Sequence, residues 1–214
     1  NRMPKLAKLY LYNNPNITGT IPPSFGSLGH ASLTKATPKL QELYLGSNPQ
    51  LLGTVPGEIG SLTALEELDM QGNTGVSGTI PREFRKLTNL QQLYLSKAGF
   101  SGTLPELGDM TSLTSLYLDR NPGISGSLPN SIAQLKDLHR FDCFDSTGLS
   151  GSLPGLKGCS RLAQLDMQNC SFNQLPSSLP NSLTHAYLNN NPINAFTSEL
   201  SDLLSSLPNQ SLRI

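Results

Sequence analysis

Leucine recurs along this chain in one frame. The frame Leu-x-x-Leu-x-Leu starts at Leu6, Leu40, Leu65, Leu90, Leu113, Leu138, Leu162 and Leu183. Its last three positions alternate apolar, outward, apolar, which predicts a short strand with one buried face. The first, fourth and sixth positions therefore point into a core, as Leu113, Leu116 and Leu118 do in one repeat, and the residues between them point out. After the first interval, successive starts fall within the period of roughly 20–29 residues that marks stacked coils, each burying its apolar edge against the next. The long first interval holds an insertion at 29–39, expected to be a loop at a repeat junction.

The rest of each coil is equally regular. The ninth position is Asn in five repeats, Asn14, Asn48, Asn73, Asn121 and Asn191, and Ala98, Ser146 and Cys170 replace it in the others. An inward Asn there is expected to bond backbone groups of its own and neighbouring coils, forming a ladder. At Ala98 the ladder must break, which predicts a water or a shifted turn. The second half of the coil reads "TGTIP" (18–22), "LGTVP" (52–56), "SGTIP" (77–81), "SGTLP" (101–105) and "SGSLP" (125–129 and 150–154). Glycine supplies a backbone angle that other residues avoid, the apolar residue packs inward and proline ends pairing.

Leu-x-x-Leu-x-Leu-x-x-Asn followed by Ser-Gly-x-Ile-Pro resembles the plant-type leucine-rich repeat of receptor-kinase ectodomains and of polygalacturonase-inhibitor-like proteins. The resemblance covers essentially the whole chain. It implies an α/β repeat solenoid, a right-handed superhelix with a concave parallel β-sheet and short 3-10 or α segments on the convex side. It also implies an extracellular or cell-surface setting. The pattern weakens late: "FNQLP" (172–176) lacks the glycine, and "NPINAFTSELSDLLSSLP" (191–208) reads as helical. The chain is read as one solenoid of about eight repeats within a longer protein. "MPKL" and "SLRI" at its two ends both look like the start of a repeat strand.

Composition narrows the function. The chain of 214 residues has 15 Lys+Arg against 15 Asp+Glu, and charged residues are only 14%. No basic excess favours nucleic acid, and no apolar run is long enough to span a bilayer. Cys143, Cys159 and Cys170 all fall at inward positions. No two share a repeat position, so direct stacking is not expected, and no Cys-x-x-Cys metal spacing occurs. His30, His139 and His185 lie far apart and match no catalytic motif. The residue pattern therefore points to no catalytic site and no cofactor, and it holds no metal-binding motif.

The outward residues carry the candidate function. The fifth position reads Tyr10, Tyr44, Asp69, Tyr94, Tyr117, Asp142, Asp166 and Tyr187. Tyr12 and Phe144, at the seventh position, extend the aromatic surface, so all six tyrosines fall on one face. Arg120 and Arg140 complete the candidate binding set. Asp142 and Asp166 lie on adjacent coils, and Arg140 is expected to neutralise them, with a calcium ion held by the clustered carboxylates as the alternative. Tyrosine gives rigid area with a polar tip, suited to recognition, although stacked tyrosines also stabilise a sheet with no partner present. The expected partner is a protein or peptide, or a glycan laid across the tyrosines, with self-assembly as an alternative. Two other readings are a structural repeat of a surface-coat or matrix glycoprotein and an inhibitor of a secreted enzyme. Sequons at Asn16, Asn169 and Asn209 permit N-glycosylation.

Overall fold

The computed structural model describes residues 5–28, 39–176, 178–194 and 211–213. Nine short strands form one sheet in strict chain order: Lys8–Tyr10, Glu42–Tyr44, Glu67–Asp69, Gln92–Tyr94, Ser115–Tyr117, Arg140–Asp142, Gln164–Asp166, His185–Tyr187 and Ser211–Arg213. Every adjacent pair is parallel and in register, position for position: Leu43 pairs with Leu68 and Leu68 with Leu93. The last strand is the one that "SLRI" predicted. Positions 29–38 of the expected insertion, His30, Asn209 and most of the segment read as helical lie outside the described residues.

The leucine frame accounts for the core. Leu43, Leu68, Leu116 and Leu165 are fully buried, as are Leu65, Leu90, Leu113 and Leu138 at the first position. Phe141 and Ala186 take the fourth position in their coils without breaking the column. Each strand is too short to stand alone. Burial between neighbours holds it, at roughly 25 cal/mol per Å² of apolar surface removed from water.

On the far side of the coil, the Gly-x-Ile-Pro motif builds a second parallel ladder. Gly19 pairs with Leu51 and Gly53 with Val76. Gly102 bridges Ile124, Gly126 bridges Leu149, and Gly151 pairs with Phe172. All five glycines have φ between 73° and 87°, the region that a side chain disfavours. The coil "FNQLP", without that glycine, runs on as the strand Ser171–Gln174, and its pairing slips beside Gly151.

The prolines then start the convex side. Pro22, Pro56, Pro81 and Pro129 each precede a short 3-10 segment: Pro23–Ser27, Gly57–Ser61, Arg82–Lys86 and Asn130–Gln134. Ile59, Phe84 and Ile132 anchor three of them in the core. The coils that start at Leu40, Leu65 and Leu113 carry this turn, and the slightly shorter coils that start at Leu90 and Leu138 do not. Shortening the coil removes the slack that a helical turn takes up.

Candidate ligand-binding face

The asparagine ladder sets the rim of the sheet. Asn48 Nδ2 donates to the carbonyls of Leu11 and Leu45, at 2.9 and 2.6 Å, and its Oδ1 accepts the backbone N–H of Asn14. Asn121 repeats this with Leu95, Leu118 and the N–H of Ala98. Ser146 keeps the pattern with its hydroxyl, donating to Leu118. Cys170 keeps it with its thiol, which donates to the Cys143 carbonyl at 3.2 Å. The turn at Ala98 is not shifted: Lys97 and Ala98 follow the backbone course of their neighbours. Only the side-chain bonds are missing there, and among the described residues no side chain donates to the Met70 carbonyl beside it.

Those bonds hold a sharp turn after each strand. The eighth position is left-handed in every described coil, at Asn13, Ser47, Gly72, Lys97, Arg120, Asp145, Asn169 and Asn190. All but Gly72 carry a side chain, and their φ lies between 51° and 61°. This turn aims the eighth side chain along the rim. A shallow groove of 560 Å³ follows it, lined by Asn13, Ser47, Gln71, Ser96, Lys97 and Arg120 among others. The leucine frame alone does not announce this groove, because nothing in that frame demands a positive φ.

The structure places all six tyrosines on the sheet face and gathers five of them in two groups. Tyr10 and Tyr44 stack at 4.7 Å, with Tyr12 edge-on to both. Tyr94 and Tyr117 stack at 5.0 Å, their planes within 7°. Asp69 separates the two groups, in register with Tyr44 on one side and Tyr94 on the other. Tyr187 stands apart beside Asp166, with its ring 6.3 Å from that of His185. Tyr10 and Tyr12 are the most open, at 48% and 55% exposed; Tyr44, Tyr94, Tyr117 and Tyr187 are half-buried.

Three of the hydroxyls are engaged by the third position of the frame, residues not included among the candidate contacts. Tyr10 donates to Glu42, Tyr44 to Glu67 and Tyr94 to Gln92. Burial, and then the Glu67 carboxylate, push the Tyr44 hydroxyl far above its ordinary range, so it stays a donor. Strand register was the available signal: third and fifth positions share a face within a strand and are diagonal neighbours between strands.

The candidate carboxylates differ from one another. Asp142 does not face the solvent as expected. Its side chain is 3% exposed, covered by Arg140, whose Nε and Nη2 reach Asp142 Oδ2 at 2.8 and 2.7 Å. An aspartate this crowded is held by the cation placed over it, so at this position the face presents guanidinium. Arg140 also lies 5.3 Å over the Tyr117 ring. Asp166, beside Asp142, is half-buried. Burial raises its carboxyl, and the Asp142 charge adds to that against hydrogen bonds from Gln168. Burial likewise raises Asp69, opposed only by hydrogen bonds from Gln71. Arg120 lies 4.9 Å over the Phe144 ring, between Asp119 and Asp145. Among the described residues no group of three or more His, Cys, Asp or Glu is arranged to hold a metal ion.

The thiols and sequons follow burial. Cys143, Cys159 and Cys170 are free and buried. The structure corrects one expectation: Cys143 and Cys170 meet although they hold different repeat positions, because the ninth position reaches back over the sixth of the preceding coil. Burial raises the Cys159 thiol to about 11. Asn16 is exposed in its turn. Asn169 is half-buried, with Nδ2 donating to Asp145 and Oδ1 accepting from Asn190, both at 2.7 Å.

The Leucine Rich Repeat family matches residues 5–28. A sequence search of curated proteins finds no match. Among solved structures, the plant peptide hormone receptor RGFR1, in complex with RGF2, is 32% identical with a TM-score of 0.75, over 94% of this chain and 35% of that one. The ectodomain of the receptor kinase SOBIR1 from Arabidopsis thaliana is 35% identical with a TM-score of 0.56, over 66% of this chain and 71% of that one. A plant ice-binding protein is 26% identical with a TM-score of 0.63, over 95% and 71%. The chain belongs to the leucine-rich-repeat proteins, in their plant-type form. It spans about a third of the length of the RGFR1 chain. No helix among the described residues is long and apolar enough to cross a membrane.

Proposed function

We propose that this chain is an extracellular recognition module that binds a peptide or protein along the concave face of its sheet. One observation carries the reading: every tyrosine lies on that face, five of them in two groups, with the hydroxyls of Tyr10, Tyr44 and Tyr94 oriented by Glu42, Glu67 and Gln92. Half-buried tyrosine on a rigid sheet offers contact area at small entropic cost. The shape suits an extended partner, since the face is open and its groove shallow. Similarity to the ectodomain of a peptide hormone receptor supports the same reading. The face binds and holds, and the module is read as a binder rather than an enzyme. Asn16 is its open glycosylation position and Asn169 the hindered one.

The test is a peptide library selected on the wild-type chain. Selected peptides should lose binding to a variant with Tyr44, Tyr94 and Tyr117 all changed to Ala, with the far-ultraviolet circular dichroism unchanged. Peptides that bind that variant as well as the wild type would overturn the reading.

A second reading rests on the other ladder. Thr20, Thr54, Thr79, Thr103, Ser127 and Ser152 form an exposed, uncharged column of hydroxyls, one per coil. The similarity to a plant ice-binding protein favours ice as what this column meets. Thermal hysteresis that disappears in a Thr79→Lys, Thr103→Lys variant supports it, and absence of hysteresis in the wild type removes it.

A further inference from the structure

The tyrosine column contains one interruption that the molecule does not complete by itself. Asp69 sits between Tyr44 and Tyr94, in register with both. Two strand steps set the strands of Tyr44 and Tyr94 about 9.5 Å apart, with Asp69 on the strand between them and its carboxylate accepting hydrogen bonds from Gln71. Gly46 makes room for that carboxylate: a Cβ there would lie 2.8 Å from Asp69 Oδ1.

The same tyrosine–aspartate step recurs later in the sheet, and there it is filled. Tyr117 pairs with Asp142, and Arg140 lies on both, its guanidinium against the carboxylate and over the ring. Arg140 holds the third position of its coil. In the coil of Asp69 the third position is Glu67, which adds a negative charge instead of a cation. The neighbouring third positions, Glu42 and Gln92, supply none either. Among the described residues Asp69 and Glu67 form no salt bridge, whereas Glu42 is joined to Lys8 at 2.5 Å.

The whole face leans the same way. Its first eight strands, with the residues beside them and the turns that follow, carry Glu42, Glu66, Glu67, Asp69, Asp119, Asp142, Asp145 and Asp166 against Lys8, Lys97, Arg120 and Arg140. The neutral chain thus has an acidic sheet side, which attracts a cationic partner.

We propose that Tyr44, Asp69 and Tyr94 form a slot for the cationic side chain of a bound peptide, a lysine or arginine. The ring faces attract the cation, the Asp69 carboxylate pairs with it, and Glu67 orients the Tyr44 ring through its hydroxyl. The bound side chain takes the place relative to Asp69 that Arg140 takes relative to Asp142. This inference rests on the concave-face reading and names the chemistry of its partner.

The experiment uses the full chain and four acetylated, amidated pentapeptides, glycine throughout except for a central arginine, lysine, citrulline or glutamate. With no tryptophan present, tyrosine fluorescence reports the face directly. The arginine and lysine peptides should give saturable changes at millimolar concentration, and citrulline and glutamate should not. Asp69→Asn should weaken the cationic peptides about tenfold or more, and Tyr94→Leu, which keeps bulk without a ring, should do likewise. Equal binding of citrulline overturns the slot, as does full affinity in Asp69→Asn. Absence of any saturable response to both cationic peptides also overturns it. If the convex-side variant Glu83→Gln weakens binding as much as Asp69→Asn, the attraction is diffuse and the slot falls. If the tyrosine changes abolish binding while Asp69→Asn does not, the slot falls and the concave-face reading stands.

Discussion

Individual residues show where the repeat is satisfied and where it is not. Asn121 ties together backbone groups of two coils. Asn121→Ala leaves the Leu95 carbonyl and the Ala98 N–H without side-chain partners, and removes one of two donors to Leu118. A loss of roughly 2–3 kcal/mol is expected in urea denaturation. Ala98 is the reverse case. Its turn already has the required backbone, and Ala98→Asn supplies the missing donor for Met70, so a gain of about 1 kcal/mol should appear in the same measurement. Asp69 is a residue held against its own stability. Burial raises its carboxyl above the usual range, so the folded chain binds that proton more tightly than the unfolded chain. The associated stability is present at low pH and is lost as pH rises through the raised value. Asp69→Asn should therefore raise the melting temperature at about pH 7, and the gain should shrink once the pH falls into the ordinary aspartate range.

Single elements are governed by how closely coils approach. Gly99 leads into the second ladder, and a Cβ there would fall 1.8 Å from the Val76 carbonyl oxygen. That oxygen belongs to the preceding coil's backbone and has no room to retreat. Gly99→Ala should destabilise by about 1–3 kcal/mol, read from its thermal melt. These elements were largely legible in advance. The leucine frame marked the strands, the Gly-x-Ile-Pro motif marked the second ladder, and a missing glycine marked its slip. The 3-10 turns were legible only as a class. Their absence from the coils of Leu90 and Leu138 follows from small deletions, whose effect is visible only when the coils are stacked.

Across the whole molecule, stacking sorts the charges. A chain with no net charge becomes a solenoid with an acidic, aromatic sheet side. Binding of a cationic peptide to that side should weaken between low and physiological salt, because exposed charges are screened over about 8–10 Å. A titration repeated at two ionic strengths checks this, and a salt-independent affinity would remove long-range attraction from the account.

By itself the sequence determined which residues face the core and which face out. A strand alternates sides at every residue, and a fixed repeat carries that alternation from coil to coil. It therefore placed all six tyrosines on one surface and all three cysteines inside. Only the tertiary structure decided what those outward residues do to each other. Arg140 closes over Asp142 and buries it, Glu67 takes the Tyr44 hydroxyl, and among the described residues Asp69 accepts only from Gln71. Each outcome depends on partners within the same strand and on strands a full coil away in the chain, brought within reach by strand spacing. The energies that choose among such rotamers are around 1 kcal/mol, too small to leave a pattern in the repeat.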